Sequence, residues 1–235
     1  MVRSTRPVFR ERYDSGAIPI AVAHRGVNAV TWRADPGSLD ASTYLPLFVE
    51  GMRETRHPYR LLAVRGASEL SRACGERALL EALPRMVLPL KAALEDDDPA
   101  VVAVALEFTR ELANGSSVIG EALVPYYRQL LPALNGLKDV KDVYVSLAVL
   151  SDARAWRERR GPSLHADDVH HIHDLRPASR SSRVHDHQLP GRGRSKRSIA
   201  ALVRAALRAL EASGGADARA NITYLIPAHV SARVR

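Results

Sequence analysis

The sequence has few of the residues that would place it in several large classes of protein. Its 235 residues include a single cysteine, Cys74, and aromatic side chains make up only 5% of the chain. One cysteine excludes an internal disulfide framework and a multi-cysteine metal site. No apolar run approaches the ~18 residues needed to span a bilayer, and the first segment carries several arginines without the apolar core of a secretory signal. We therefore expect an intracellular, cytoplasmic protein without membrane contact.

Positive charge is concentrated in the last third of the chain. The sequence has 34 basic and 26 acidic residues and a net charge of +8. Residues 1–150 are balanced, whereas residues 151–198 have a net charge of +5 and residues 199–235 a net charge of +3. Aromatic residues, which stack on bases in single-strand-binding proteins, are absent from 157 to 223. We expect no specific binding to nucleic acid.

Two short segments rich in β-branched residues predict a hairpin near the N-terminus. They are Ile18–His24 and Ala29–Arg33, and Arg25–Asn28 between them supplies glycine and asparagine for the turn. Residues 1–38 are therefore interpreted as an N-terminal arm and a β-hairpin.

Prolines mark a helical pattern that repeats every ~40 residues. Pro46, Pro84 and Pro125 are 38 and 41 residues apart, and each is followed by an apolar run. Because the first turn of a helix tolerates proline, we predict that each of them opens the first helix of a two-helix unit.

A second helix is predicted in each unit. These helices begin at Pro58, at Pro99 after an Asp98 N-cap, and at Arg197 or Ser198. Each ends at a glycine, the residue best suited to a left-handed C-cap. The three ends are Cys74-Gly75, Asn114-Gly115 and Gly214-Gly215.

A helix pair with this period is typical of armadillo and HEAT repeats, in which each pair buries its apolar face against its neighbours. We predict an all-α, armadillo/HEAT-like fold of about three two-helix units. Residues 39–140 form the first part of the helical repeat domain, and residues 197–235 form the last repeat helix and a C-terminal cap. An irregular helical bundle with coincidental proline spacing is the alternative.

Residues 141–196 interrupt the third unit with a basic, low-complexity segment rich in histidine, arginine and serine. This composition favours a long disordered insert. A loop-borne metal hydrolase is an alternative, but no regular element would hold the ligands in place and no cysteine contributes. The histidines of this segment are six of the nine in the chain: His165, His170, His171, His173, His185 and His187.

The rest of the sequence offers no motif for catalysis. Cys74 lies at a predicted helix C-terminus, where the dipole raises the thiol pKa and does not activate the sulfur. Glu95–Asp98 fits the loop before a helix start and lacks the spaced ligands of calcium loops. Neither a Gly-Xaa-Ser-Xaa-Gly elbow nor a Gly-Lys-Ser/Thr phosphate loop is present. We predict no enzymatic activity, no catalytic or metal-binding residues, no cofactor and no small-molecule substrate.

A pair of adjacent tyrosines is the strongest candidate for a binding site. Tyr126 and Tyr127 lie on a predicted helix, where two neighbouring residues cannot both face the core. Arg128 follows directly, and tyrosine and arginine are enriched among the residues that dominate protein interfaces. We predict that Tyr126, Tyr127, Arg128 and Gln129 contact a partner protein.

The string Gly120–Asn135, which contains Val-Pro-Tyr-Tyr-Arg-Gln, resembles the parkin co-regulated protein (PACRG) family. The likeness continues in Phe9–Trp32 and in Asn221–Pro227, and it covers about residues 9–140 and 197–230. It implies a helical, armadillo/HEAT-like protein of the ciliary and flagellar axoneme. Such a protein contacts α/β-tubulin and other axonemal proteins at the inner junction of doublet microtubules, and it has no known enzymatic activity.

The resemblance implies a non-catalytic structural protein of the axonemal cytoskeleton. A soluble armadillo-type adaptor that binds a chaperone or a sperm-assembly partner is the alternative. Two departures from the family pattern stand out: only a short segment precedes Phe9, and a polar insert replaces a short stretch before the last repeat helix. The second departure motivates the hypothesis that residues 143–194 include translated intron or another gene-model error, which transcript sequencing tests.

Overall fold

The computed structural model describes residues 8–23, 29–138, 143–146 and 196–227. Within these ranges the chain is mostly helical, and a small antiparallel hairpin precedes the main helices. This architecture confirms the predicted all-α class with an N-terminal hairpin. None of the helices in this part of the chain is both long enough and apolar enough to cross a membrane.

The N-terminal arm contains a helix that the sequence patterns did not predict. Helix α1 (Val8–Asp14) precedes strands β1 (Ile20–Val22) and β2 (Val30–Trp32), which pair antiparallel as expected; the predicted turn lies outside the described residues. Phe9 is fully buried, and its ring centroid lies 5.9 Å from that of Phe48. Arginines flank Phe9 in the sequence, so this segment has no apolar pattern that would predict a buried helix.

Four of the main helices begin where a polar side chain caps a free N–H group. Asp98 accepts a hydrogen bond from the Ala100 N–H at 2.9 Å, and Ser198 accepts one from the Ala201 N–H at 3.2 Å. Caps of this kind stabilise a helix by about 1 kcal/mol each. The helices are α2 (Ala41–Gly51), α3 (Tyr59–Ala73), α4 (Gly75–Leu94), α5 (Pro99–Ala113), α6 (Ser117–Leu123), α7 (Tyr127–Leu137), α8 (Ile199–Ser213) and α9 (Gly215–Leu225), with 3-10 turns at Pro36–Ser38 and Val124–Tyr126. The four that begin at such a cap are α2, α5, α6 and α8.

The predicted second helix of each unit is confirmed. Helix α3 begins one residue after Pro58, α5 begins at Pro99, and α8 begins directly after Ser198. Gly75 and Gly215 follow the ends of α3 and α8 with φ angles of +74° and +67°, in the left-handed region that glycine adopts without strain. Helix α5 ends without a left-handed glycine, so this part of the C-cap prediction is wrong.

Two of the predicted first helices begin earlier than their prolines. Pro46 lies in the middle of α2 and Pro84 in the middle of α4, so the prediction that these prolines open their helices is wrong. Because proline has no N–H, the Ser42 carbonyl oxygen four residues before Pro46 loses its helical donor. The Arg85 guanidinium, 3.5 Å away, donates to that oxygen instead. Pro125 lies in the 3-10 turn that leads into α7.

The helices stack in two layers, as in armadillo and HEAT repeats. Helices α2, α4 and α7 pack side by side in the first layer, and α3, α5 and α8 pack in the second. Every residue from 101 to 109 of α5 is buried, because α3, α4, α6 and α8 all contact this helix. One hydrophobic core extends from Phe9 to Ile226. Each unit is therefore stabilised by its neighbours.

A second two-stranded ribbon joins the two sides of the predicted insert. Strand β3 (Tyr144–Ser146) pairs antiparallel with β4 (Lys196–Ser198). The N–H of Ile199 donates to the carbonyl of Val143 at 3.0 Å and extends the pairing toward α8. The structure thus places both edges of the predicted 141–196 insert in regular structure. The remainder of that segment, including its histidines, lies outside the described residues.

Candidate protein-interaction surface

The four predicted partner-binding residues lie at the start of α7, but they do not share one environment. Tyr127 is fully buried, Tyr126 is half-buried, and Arg128 and Gln129 are exposed. A side chain without exposed surface cannot contact a partner, so the prediction is wrong for Tyr127. For Tyr126, Arg128 and Gln129 it stays a prediction.

Tyr127 instead connects two helices that are far apart in sequence. Its hydroxyl donates a hydrogen bond of 2.8 Å to the carbonyl oxygen of Leu210, near the end of α8. The same oxygen accepts the Gly214 N–H at 3.0 Å. Burial raises the pKa of the Tyr127 hydroxyl, so the group remains a protonated donor at neutral pH. Tyr127 therefore holds the last turn of α8 against α7.

Gly120 provides a second connection between the same regions. It is buried in α6, and a methyl group in place of its hydrogen would overlap with the Cβ and the carbonyl oxygen of Ser213. Helices α6 and α8 approach closely here because Gly120 has no side chain. Gly120 and Tyr127 together hold α8 against α6 and α7, which precede the insert.

The solvent-facing side of α4 and α7 carries the exposed members of the predicted site. The two helices are neighbours in the first layer. Leu88 on α4 leaves 66% of its surface exposed beside the exposed Arg85. Arg128, Gln129 and Pro132 are exposed on α7. We call these five residues the α4–α7 face. Its mixture of apolar and arginine side chains is a composition suited to contact with another protein.

Charged groups on the second layer form ion pairs within α5 and between α5 and its neighbours. Glu107 of α5 is buried and accepts hydrogen bonds from Arg110 at 2.6 Å and from Arg197 of β4 at 2.9 Å. One turn later, Glu111 binds Arg72 of α3 at 2.8 Å. These contacts connect α3, α5 and the ribbon across the layer. Their acidic groups are engaged within the chain, so the layer presents mainly arginine to solvent.

Comparison with known proteins agrees with this architecture. The sequence model described as parkin co-regulated protein matches residues 7–164 of the chain. The chain belongs to the parkin co-regulated protein family. The parkin coregulated gene protein homolog of Mus musculus is 29% identical over 231 residues, an alignment that covers 97% of this chain and 78% of the mouse protein. The identification made from Gly120–Asn135 is confirmed.

In this member of the parkin co-regulated protein family, Cys74 and Asp98 have surroundings typical of structural residues. The described residues contain no group of three or more histidine, cysteine, aspartate or glutamate side chains that could hold a metal ion. Cys74 is half-buried, and burial raises the pKa of its thiol, which lowers the fraction of reactive thiolate. Asp98 of the acidic run caps α5 and binds Arg60 at 2.7 Å, as expected for residues before a helix start.

Sequence reasoning missed the interhelical pairs of this family member. Glu107 and Glu111 are spaced four apart in a helix whose other residues are apolar except for Thr109 and Arg110, so they share one side of it. A carboxylate in such an apolar setting signals a buried partner. The identity of that partner could not be read from the sequence, because Arg197 is 90 residues away from Glu107.

Proposed function

We propose that this chain is a non-catalytic structural protein of the ciliary and flagellar axoneme. In this proposal it binds α/β-tubulin and neighbouring proteins at the inner junction of doublet microtubules. The observation that carries the proposal is the family match over residues 7–164, joined to a helical stack whose layers follow the expected repeat. The chain would act in the cytoskeleton of the cilium or flagellum.

The packing of the stack supports a static role. A cross-bridge between protein filaments needs a frame that keeps its surfaces at fixed positions. The core runs without interruption from Phe9 to Ile226 through all the described helices. Tyr127 and Gly120 fix the C-terminal helices to the preceding units. Stacked helical repeats of this kind expose extended surfaces to several partners at once.

The α4–α7 face is the surface that we assign to a partner. Arg85, Arg128 and Gln129 are its polar members, and Leu88, which is 66% exposed, is one of its two apolar members. The family to which the chain belongs is not a known enzyme family. A surface that combines arginine with an exposed leucine is suited to recognition, with no chemical step required.

Co-sedimentation with taxol-stabilised microtubules at moderate salt tests the proposal. The full chain should pellet with microtubules in a saturable manner, and chemical cross-linking should join it to tubulin. The variant Leu88→Ala/Arg128→Ala should bind at least about tenfold more weakly if the α4–α7 face makes contact. Arg77→Ala, whose guanidinium is 93% exposed near the start of α4, is the matched control.

Two results would contradict this proposal. Absence of sedimentation by a folded wild-type chain would remove the microtubule role. Equal binding by Leu88→Ala/Arg128→Ala and wild type would remove the α4–α7 face as the contact. Circular dichroism of each variant separates loss of binding from loss of helicity. In ciliated cells, a tagged chain should lie along the axoneme.

A further inference from the structure

We propose that the second layer carries a binding site for a carboxylate-rich segment of a partner protein. The site is centred on α8 and consists of Arg110, Arg197, Arg204 and Arg208, which we call the arginine patch. The inference rests on the proposed function, because it names the chemistry of one contact that a structural protein of this kind makes.

Two arginines of α8 have no counter-charge in the described part of the chain. Arg204 and Arg208 are exposed and lie one helical turn apart. Neither forms an ion pair or a side-chain hydrogen bond with another described residue. Ala201, Ala205 and Ala212 share this side of α8 and are at least partly exposed. Their methyl groups are too short to cover the guanidinium groups, so a ligand can reach both arginines.

The positions of Arg204 and Arg208 do not stabilise helix α8. Like charges at positions i and i+4 destabilise a helix. Cations near a helix C-terminus are favourable only in the last turn, and no basic residue lies in the last turn of α8. Glu211, the only acid of α8, lies 3.7 Å from Arg219 of α9. An external carboxylate is the group that would stabilise Arg204 and Arg208.

The neighbouring strand and helix extend the positive charge. Helix α8 packs along α5, and Arg197 lies on β4, which leads directly into α8 at Ile199. Arg110 and Arg197 share the single carboxylate of Glu107, and their side chains remain 25% and 36% exposed. The arginine patch therefore contains four guanidinium groups, two of which share Glu107, while the nearby acids Glu111 and Glu211 pair with Arg72 and Arg219 outside the patch.

The chemistry of the patch favours a polypeptide over a nucleic acid. Arginine presents a planar fork that binds a carboxylate through two hydrogen bonds. Strands and helices that bind single-stranded nucleic acid add aromatic side chains for base stacking, and β4 and α8 contain none. A segment rich in glutamate or aspartate, with carboxylates at variable spacing, matches four separate guanidinium groups.

Binding of a fluorescent peptide of ten glutamates to the full chain tests the inference. Fluorescence anisotropy at low and at physiological salt would compare the wild type with Arg204→Gln/Arg208→Gln. The double variant should bind about tenfold more weakly and with a smaller salt dependence. The control Arg33→Gln/Arg77→Gln removes the same charge from two exposed residues, Arg33 directly after β2 and Arg77 on α4. It should bind the peptide like the wild type.

If the wild type, Arg204→Gln/Arg208→Gln and Arg33→Gln/Arg77→Gln bind the peptide with equal affinity, the proposed arginine patch is wrong. Tighter binding to duplex DNA than to the peptide, with the same loss in Arg204→Gln/Arg208→Gln, would also overturn it and assign the patch to nucleic acid. Thermal melts should show that both double variants remain folded.

Microtubules whose acidic tubulin tails have been removed by limited proteolysis separate the two proposals. If the wild type pellets equally with intact and trimmed microtubules, and the Arg204→Gln/Arg208→Gln variant does so too, the proposed function stands and the patch is overturned. If the wild type binds the peptide through the patch but pellets with neither kind of microtubule, the patch stands and the microtubule role fails. If the wild type no longer pellets with trimmed microtubules, and Arg204→Gln/Arg208→Gln no longer pellets with intact ones, both the proposed function and the arginine patch are supported.

Discussion

The two helical layers place their charges in different ways. In the first layer, α4 carries the local pairs Arg77–Glu81, which is largely exposed, and Lys91–Glu95 at its end, which is partly exposed. In the second layer, Glu107 is buried and bridges two arginines from different elements. Exposed pairs contribute little to stability because solvent and salt screen them. Buried pairs matter most when one partner is removed, since the remaining charge is left without compensation.

This difference predicts where a single change will break the stack. Glu107 and Glu111 connect different elements of the second layer, whereas Arg77–Glu81 and Lys91–Glu95 are local to α4. The second layer should therefore respond strongly to the loss of a charge, and the first layer should respond to changes at its outer face mainly through binding. Glu107→Ala, with the largest expected effect, and double-mutant cycles, with the smallest, test this contrast, and substitutions at Gly120 and Tyr127 test the contacts that hold α8 in place.

Glu107→Ala should cause the largest loss of stability. Removal of the carboxylate leaves Arg110 and Arg197 without their shared partner and removes the ion pair that joins β4 to α5. We expect the free energy of unfolding to fall by about 2 kcal/mol, because charge-assisted hydrogen bonds to a buried carboxylate are lost. Urea unfolding followed by far-UV circular dichroism measures it. A loss equal to that of Glu81→Ala would show that the layers do not differ.

Gly120→Ala tests the close approach of α6 and α8. The added methyl group would overlap with Ser213, and relief of such overpacking costs about 1–3 kcal/mol. Gly136→Ala in α7 is the matched control, since nothing lies within contact distance of a methyl group there. Because alanine is a better helix former than glycine, the control should gain up to about 1 kcal/mol. Opposite signs in the two variants are the expected outcome of thermal melts.

Tyr127→Phe removes one hydroxyl and leaves the ring in the core. The Leu210 carbonyl then loses its bond from α7 and keeps only the one from Gly214, which should cost about 1 kcal/mol. Tyr126→Phe, which alters a half-buried neighbour, should change stability little. Indistinguishable urea midpoints for the two variants would contradict the assigned role of Tyr127.

The same residue predicts a dependence of stability on alkaline pH. Burial raises the pKa of Tyr127 in the folded state above the value of about 10 in the unfolded chain. The unfolded state then releases a proton that the folded state retains, so stability falls as the pH rises above about 10. In Tyr127→Phe this decline should be shallower than in the wild type. Parallel pH profiles would show that Tyr127 does not titrate differently on unfolding.

Local signals explain which parts of the fold were predictable from the sequence. The start of α5 follows from Asp98 and Pro99, and the end of α8 from its glycine pair, because caps act within one turn. Pro46 misled the prediction for the opposite reason. A proline on the solvent side of a helix, with a side-chain donor near the freed carbonyl, produces the same sequence pattern as a proline at the first turn.

The site was less predictable, because its residues are defined by distant partners. Whether Tyr126 or Tyr127 faces the core depends on the position of Leu210, which is 83 residues further along the chain. Helix α1 was missed because Phe9 is anchored by Phe48 and not by a periodic pattern of its own. The way two helices pack depends on residues that are far apart in the chain, so a short stretch of sequence does not reveal it.

The smallest expected effect belongs to the exposed pair of the first layer. Arg77 and Glu81 lie 3.1 Å apart, and their side chains are 93% and 59% exposed. A double-mutant cycle with Arg77→Ala and Glu81→Ala should give a coupling energy below about 0.5 kcal/mol, which falls further in salt. The corresponding cycle with Arg197→Ala and Glu107→Ala should give several times more, because Glu107 is shielded from solvent. Equal couplings in the two cycles would mean that burial of Glu107 does not strengthen its pairing, and the contrast between the layers would then be one of position alone.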